Sequence, residues 1–199
     1  MPRIVDHAER RAQIVMALWM VIAERGIEGV SLRTVAAAAD VSMGRIQHYF
    51  GTKEALVLAG CTALIDSAYE GYLGTTDDPP RERLLHVVSQ QIPRDDGQRA
   101  AVSVWYAYVA RSINDDAVRQ VLAEARRGAE EECARLVREA SGVDGAVALQ
   151  RARRLLALAD GLTLRALVGD LGATEAVAML ETELDTICPT TRRGSHVAR

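Results

Sequence analysis

The chain has 199 residues, of which 49% are hydrophobic and 26% charged, a balance that excludes a disordered or fibrous protein and supports a sizeable core. Aromatics are scarce at 4%, Pro totals 5, and Ala and Leu abound, so an all-α protein is expected rather than a β-sandwich or barrel. The net charge is −3, yet residues 1–53 carry seven Lys/Arg against five Asp/Glu while the remainder carries 17 against 22, so any attraction to nucleic acid is confined to the first quarter.

Helical punctuation predicts about nine helices. Asp6 is placed to cap the first, running to about Arg25 with Ile14, Leu18 and Ile22 on one stripe and Val15 and Trp19 beside it. Gly26 and Gly29 break it. Ser31 opens a short helix to Ala39, Ser42 another to about Phe50, and after Gly51-Thr52 a longer one runs from Lys53 to Tyr72. The polar run Gly74 to Asp78 ends at Pro79-Pro80, where proline suits the first turn of a helix to Ile92. Pro93 to Gly97 reads as a break before a helix from Gln98 to Ile113. Asp115 is placed to cap a long helix to Ala140. The last two helices are expected over about Ala146–Val168 and Thr174–Ile187, and residues 189–199 read as a flexible polar tail.

Ser31 to Phe50 has the logic of a helix-turn-helix. Two short helices that cross closely need a small residue at their contact, which Ala36 supplies. The turn between them needs a residue tolerant of the left-handed region, and Asp40 stands there. Val35, Val41 and Ile46 occupy the positions of the motif's apolar triangle. Ser42 caps the second helix, leaving its first turn and one polar face to enter a major groove.

The runs Gly29-Val30-Ser31-Leu32-Arg33-Thr34-Val35-Ala36, Val41-Ser42-Met43-Gly44 and His48-Tyr49-Phe50-Gly51-Thr52-Lys53-Glu54-Ala55-Leu56 resemble the TetR family of bacterial transcriptional regulators. Asp40 departs from the glycine usual in that family, and Gln47 from a common tyrosine. Trp105-Tyr106-Ala107-Tyr108, with Ala157 to Leu167, resembles the narrower BetI-type group of choline-responsive repressors. The resemblance implies a helix-turn-helix domain at 1–53, an effector-binding and dimerisation domain at 54–188, and a homodimeric repressor of a palindromic operator, released by a small molecule. It implies that Ser31, Arg33, Thr34, Tyr49 and Lys53 grip phosphates, while Ser42 caps and Met43, Arg45, Gln47 and His48 face base edges. Arg is suited to guanine and Gln to adenine. His48 and Tyr49 are equally able to pack on the first helix. The implied dimer contact, a four-helix arrangement of the last two helices, draws on Leu162, Ala166, Val177, Leu180 and Leu184.

Trp105 and Tyr108 share a helix face at i, i+3 and are either core or one wall of an effector pocket, to which His86 and Gln90, one turn apart, are further candidates. Asp160 sits in a largely apolar helix and calls for a partner other than Arg165, which diverges from it at i, i+5. Glu130, Glu131 and Glu132 read as a solvated face. No GxSxG, HExxH, GxGxxG or P-loop pattern occurs, and Glu82 with His86 lacks a second metal-binding pair, so neither an enzyme nor a cofactor is expected. The rival within regulators is one that acts constitutively or through a protein partner, without effector sensing. No apolar stretch approaches the roughly 20 residues of a membrane span. Residues 1–11 lack a signal-peptide pattern, and Cys61, Cys133 and Cys188 are dispersed, as fits buried thiols in the cytoplasm.

Overall fold

The computed structural model describes residues 3–188, with side chains from His7 onward; the tail expected at 189–199 lies outside the described residues. Among these residues the elements are nine α-helices and one 3-10 turn, with no strand. The helices are α1 (Arg3–Arg25), α2 (Leu32–Ala38), α3 (Met43–Phe50), α4 (Lys53–Leu73), α5 (Pro80–Ser89), α6 (Asp96–Arg111), α7 (Asp116–Ser141), α8 (Gly145–Val168) and α9 (Ala173–Ile187), and the 3-10 turn is Ile27–Gly29.

Periodicity located every helix, and capping chemistry moved several ends. The α1 helix begins at Arg3, so Asp6 lies inside it rather than capping it. The Asp95 carboxylate accepts a hydrogen bond from the Gln98 N–H at 2.8 Å, which starts α6 two residues earlier than the apolar pattern suggests. Asp144 does the same for α8, accepting from Ala146 N–H and Val147 N–H at 2.9 and 3.1 Å. The α5 helix stops at Ser89, three residues short of the expected Ile92, although Ile92 is itself fully buried.

The helices pack as two compact units that do not follow the expected boundary at residue 53. The first comprises the chain to Gly74 and Pro93–Arg127; the second comprises Thr75–Ile92 and the chain from Gly128 on. In the first, Ile14, Leu18, Val21 and Ile22 of α1 close over Val35 and Ala36 of α2 and Ile46 and Phe50 of α3. Leu56, Val57 and Cys61 of α4, Val104 and Tyr108 of α6 and Val118 of α7 complete this core. Small units bury a smaller fraction of their surface, and α4 and α6 extend the core of the three-helix region. Trp19 sits at the edge of this core, where its indole N–H donates to the Gly60 carbonyl at 3.1 Å.

The second unit is built on Leu84 and Val88 of α5, Cys133, Leu136 and Val137 of α7, Leu155 and Leu162 of α8, and Leu180 and Leu184 of α9. The acidic run on α7 is not a uniformly solvated face. Glu130 pairs with Arg153 at 2.8 Å, Glu132 with Arg83 and Arg135 at 3.3 and 2.5 Å, and only Glu131 of the three is exposed. Arg165 pairs with Asp170 at 3.0 Å, and Asp160 is half-buried. All three cysteines are free and buried. Burial, and secondarily the charge of Asp115, pushes the Cys61 thiol up to about 11, so it stays protonated at neutral pH. No helix among the described residues is long and apolar enough to cross a membrane.

Candidate nucleic-acid interface

A reciprocal cap starts α2. The Ser31 hydroxyl accepts from the Thr34 N–H at 3.0 Å, and the Thr34 hydroxyl accepts from the Ser31 N–H at 2.8 Å. Both hydroxyls, expected to grip phosphates, are thus engaged within the turn, and Arg33 is left as its exposed cation. Ser31→Ala is expected to lower stability by about 1 kcal/mol in urea unfolding, the usual weight of a lost side-chain cap.

Asp40 adopts φ 52°, the left-handed turn read from the sequence. It lets the Val41 N–H reach back to the Ala36 carbonyl at 3.0 Å, which closes the end of α2 in a Schellman-type bond. Glycine would adopt this angle without strain, whereas aspartate tolerates it and adds a carboxylate to the turn. Ala36 and Val35 are buried and Val41 half-buried, as the motif requires.

The Ser42 hydroxyl accepts from the Arg45 N–H at 3.2 Å and caps α3. Helical spacing then turns Ile46 and Phe50 inward. Ser42, Met43, Arg45, Gln47 and His48 are all exposed, so the residues expected to meet base edges share the outward side of one helix. Gly51, at φ 73°, ends α3, and the Thr52 hydroxyl accepts from the Ala55 N–H at 3.1 Å to start α4. Lys53 is half-buried in that first turn. Arg33, Arg45 and Lys53 take part in none of the ion pairs among the described residues, so their charges remain available to an anion.

Tyr49 is half-buried between two histidines. Its ring centroid lies 4.5 Å from that of His7 and 5.5 Å from that of His48. Arg11 donates to the Tyr49 carbonyl at 3.3 Å and holds its guanidinium 4.5 Å from the Phe50 ring centroid. The start of α1 therefore braces the end of α3. A concavity of about 520 Å³ opens beside this brace, lined by Arg10, Ser42, Arg45, His48 and Tyr49. Sequence reasoning missed His7, Arg10 and Arg11, because α1 was read for its apolar stripe; the Arg10-Arg11 doublet in the basic quarter was the available signal.

The four residues expected to line an effector pocket are not brought together within one packing unit. Trp105 and Tyr108 belong to the first and His86 and Gln90 to the second. Tyr108 is fully buried, a core residue rather than an open wall. Among the described residues its hydroxyl makes no well-aligned hydrogen bond, the Trp19 indole being the donor beside it, and burial holds its pKa well above the usual phenol value. Trp105, His86 and Gln90 are half-buried. Of the residues expected at a dimer contact, Leu162, Ala166, Leu180 and Leu184 are buried in their own chain's core, because the apolar stripes of α8 and α9 face each other and α5. Val177 is half-buried, and the large apolar residues these two helices expose are Leu164, Val168 and Met179. No group of three or more His, Cys, Asp or Glu placed to hold a metal occurs among the described residues.

An all-α fold that presents a capped, cationic second helix after a four-residue turn defines a helix-turn-helix DNA-binding regulator. The family model for bacterial regulatory proteins of the tetR family matches residues 14–59, and that for the C-terminal region of BetI-type transcriptional repressors matches residues 80–189. The HTH-type regulator BetI of Burkholderia thailandensis is 33% identical over 187 residues, which cover 90% of this chain and 93% of that one. PksA of Bacillus subtilis is 33% identical over 112 residues, 55% of either chain. Among solved structures, a transcriptional regulator from Rhodococcus sp. RHA1 superposes with a TM-score of 0.80 at 26% identity, covering 89% of this chain and 95% of that one. A Saccharomonospora viridis protein crystallised with choline shares the fold, with a TM-score of 0.75 at 24% identity over 92% of this chain and 97% of that one. The chain belongs to the TetR family of bacterial transcriptional regulators, with a BetI-type C-terminal region. These relatives are regulators and not enzymes.

Proposed function

We propose that the protein is a cytoplasmic repressor that binds a palindromic operator as a homodimer and is released by a small-molecule effector. The observation that carries the DNA reading is the outward side of α3, where Met43, Arg45, Gln47 and His48 stand exposed and Arg45 has no carboxylate partner among the described residues. Arg45 and Gln47 read bases; Arg33, Tyr49 and Lys53 hold phosphates, which fix register without selecting sequence. Dimerisation uses the exposed apolar side of α8 and α9 around Leu164, Val168 and Met179.

The direct test is capture of fragmented genomic DNA by the purified protein at near-physiological salt, followed by sequencing. Recovery of a few palindromic sites supports the reading, and diffuse recovery of all sequences overturns it. On a recovered operator, Arg45→Ala is expected to cost about 1–3 kcal/mol of specific binding and leave the salt slope nearly unchanged. Lys53→Ala weakens operator and random DNA alike and flattens the slope by about one contact. Equal effects of both variants on specific and random DNA would defeat these role assignments.

Effector release is population shift: a ligand favours whichever arrangement of the two recognition helices does not fit the operator. A coupling of about 1–3 kcal/mol is the usual range. Choline is the first compound to titrate, on the strength of the fold shared with the Saccharomonospora viridis complex. Trp105, half-buried, is the side chain to substitute in that titration.

A further inference from the structure

Arg10 and Arg11 are adjacent on α1, yet the fold uses them differently. Arg11 is committed within the protein, donating to the Tyr49 carbonyl and lying over the Phe50 ring. Arg10 lines the concavity beside α3 together with Ser42, Arg45, His48 and Tyr49. Its guanidinium donates to the Gln13 side-chain carbonyl at 2.7 Å, a neutral partner that orients the group, and among the described residues no carboxylate pairs with it. The concavity thus holds two permanent positive charges from two different helices and the hydroxyls of Ser42 and Tyr49. Among the described residues no carboxylate lines it.

We infer that this concavity receives one phosphate of the DNA backbone and that Arg10 is its principal cation, a contact contributed by α1 rather than by the helix-turn-helix. The inference rests on the DNA-binding reading above and adds a residue and a ligand group to it. The ligand chemistry follows from the lining. The Arg10 guanidinium with the two hydroxyls, facing no carboxylate among the described residues, suits a tetrahedral anion with several oxygens, and Arg45 is left to the bases. A phosphodiester is the group of that kind that flanks a helix lying in the major groove. Arg10 belongs to a separate helix at the margin of α3, so it meets the wall of the groove, while Arg45 is also free to turn towards the bases. His7, stacked on Tyr49 at 4.5 Å, keeps the start of α1 against α3 and so positions Arg10.

The test compares Arg10→Gln, Arg10→Lys and Arg11→Gln with the wild-type protein on operator and random duplexes across a salt series, with thermal melting of each variant. Arg10→Gln is expected to weaken both duplexes by about eightfold at 0.1 M salt and to reduce the salt slope by about 0.9, the weight of one phosphate contact. Arg10→Lys keeps the slope, because a compact charge still pairs with one phosphate. Arg11→Gln lowers the melting temperature, whereas both Arg10 variants melt with the wild type. Wild-type binding by Arg10→Gln overturns the inference, as does loss confined to the operator at unchanged slope, which would make Arg10 a base reader. A lowered melting temperature in both Arg10 variants also overturns it, since it would make Arg10 a brace like Arg11. Failure of the wild-type protein itself to select any duplex defeats the DNA-binding reading instead, and is thereby distinguished from failure of this inference.

Discussion

Leu184→Arg is expected to unfold the protein rather than to release folded monomers. Leu184 and Leu180 are fully buried against Leu84, Leu136 and Leu155 of their own chain. Truncating such a side chain costs about 2–5 kcal/mol. An arginine adds the penalty of a charge without a partner in an apolar interior, several kcal/mol more. The sum reaches the whole margin of a typical domain, about 5–15 kcal/mol. Far-UV circular dichroism should show the helix signal lost or melting far below that of the wild type. Val168→Arg is the contrasting variant. Val168 is 69% exposed, so the substitution leaves the fold intact, and sedimentation then reports on the proposed dimer contact alone. A Leu184→Arg protein that melts like the wild type and sediments as a monomer would place Leu184 at a subunit contact and contradict the packing described here.

Gly60→Val is expected to cost about 3 kcal/mol, with Gly60→Ala smaller in the same direction. A Cβ at position 60 would lie 2.4 Å from the Leu18 Cδ2 and 2.6 Å from the Tyr108 hydroxyl, and both side chains are fully buried with little room to yield. Overpacking of this kind costs about 1–3 kcal/mol, which outweighs the gain of about 1 kcal/mol from replacing a helical glycine by alanine. Tyr108→Phe removes a buried hydroxyl that makes no well-aligned hydrogen bond among the described residues, so it should be neutral or stabilising by about 1 kcal/mol. It also removes one of the two clashing atoms. The double variant Gly60→Ala/Tyr108→Phe should therefore be more stable than the sum of the single changes predicts, a coupling readable in urea unfolding. Strict additivity would mean that the α4–α6 approach at Gly60 is looser than described.

The helix-turn-helix was legible to a degree the rest of the chain was not. Its signals are local: Ser31 and Ser42 as caps, Ala36 at the crossing and Asp40 in the left-handed turn each act within a few residues of their place in the sequence. The Arg10 concavity was not legible, since it joins residues more than thirty positions apart and depends on how α1 lies against α3. The choice between core and pocket wall at Trp105 and Tyr108 stayed open in the sequence for a related reason. The i, i+3 spacing correctly put Trp105 and Tyr108 on one helix, but it carries no information on which side of that helix meets the core, and Tyr108 proved to be inside it.

The sequence by itself determined the all-α class and the place of every helix, and it singled out the α3 residues proposed to read DNA, because periodicity, caps and turn chemistry are properties of neighbouring residues. Only the tertiary structure decided which apolar faces are satisfied within one chain. Leu162, Leu180 and Leu184 show the same spacing that a dimer seam would show, and the burial of each in its own core, with Leu164, Val168 and Met179 left outside, is set by packing among α5, α8 and α9. An apolar stripe states that a surface must be covered; what covers it is a matter of which helices the chain brings alongside.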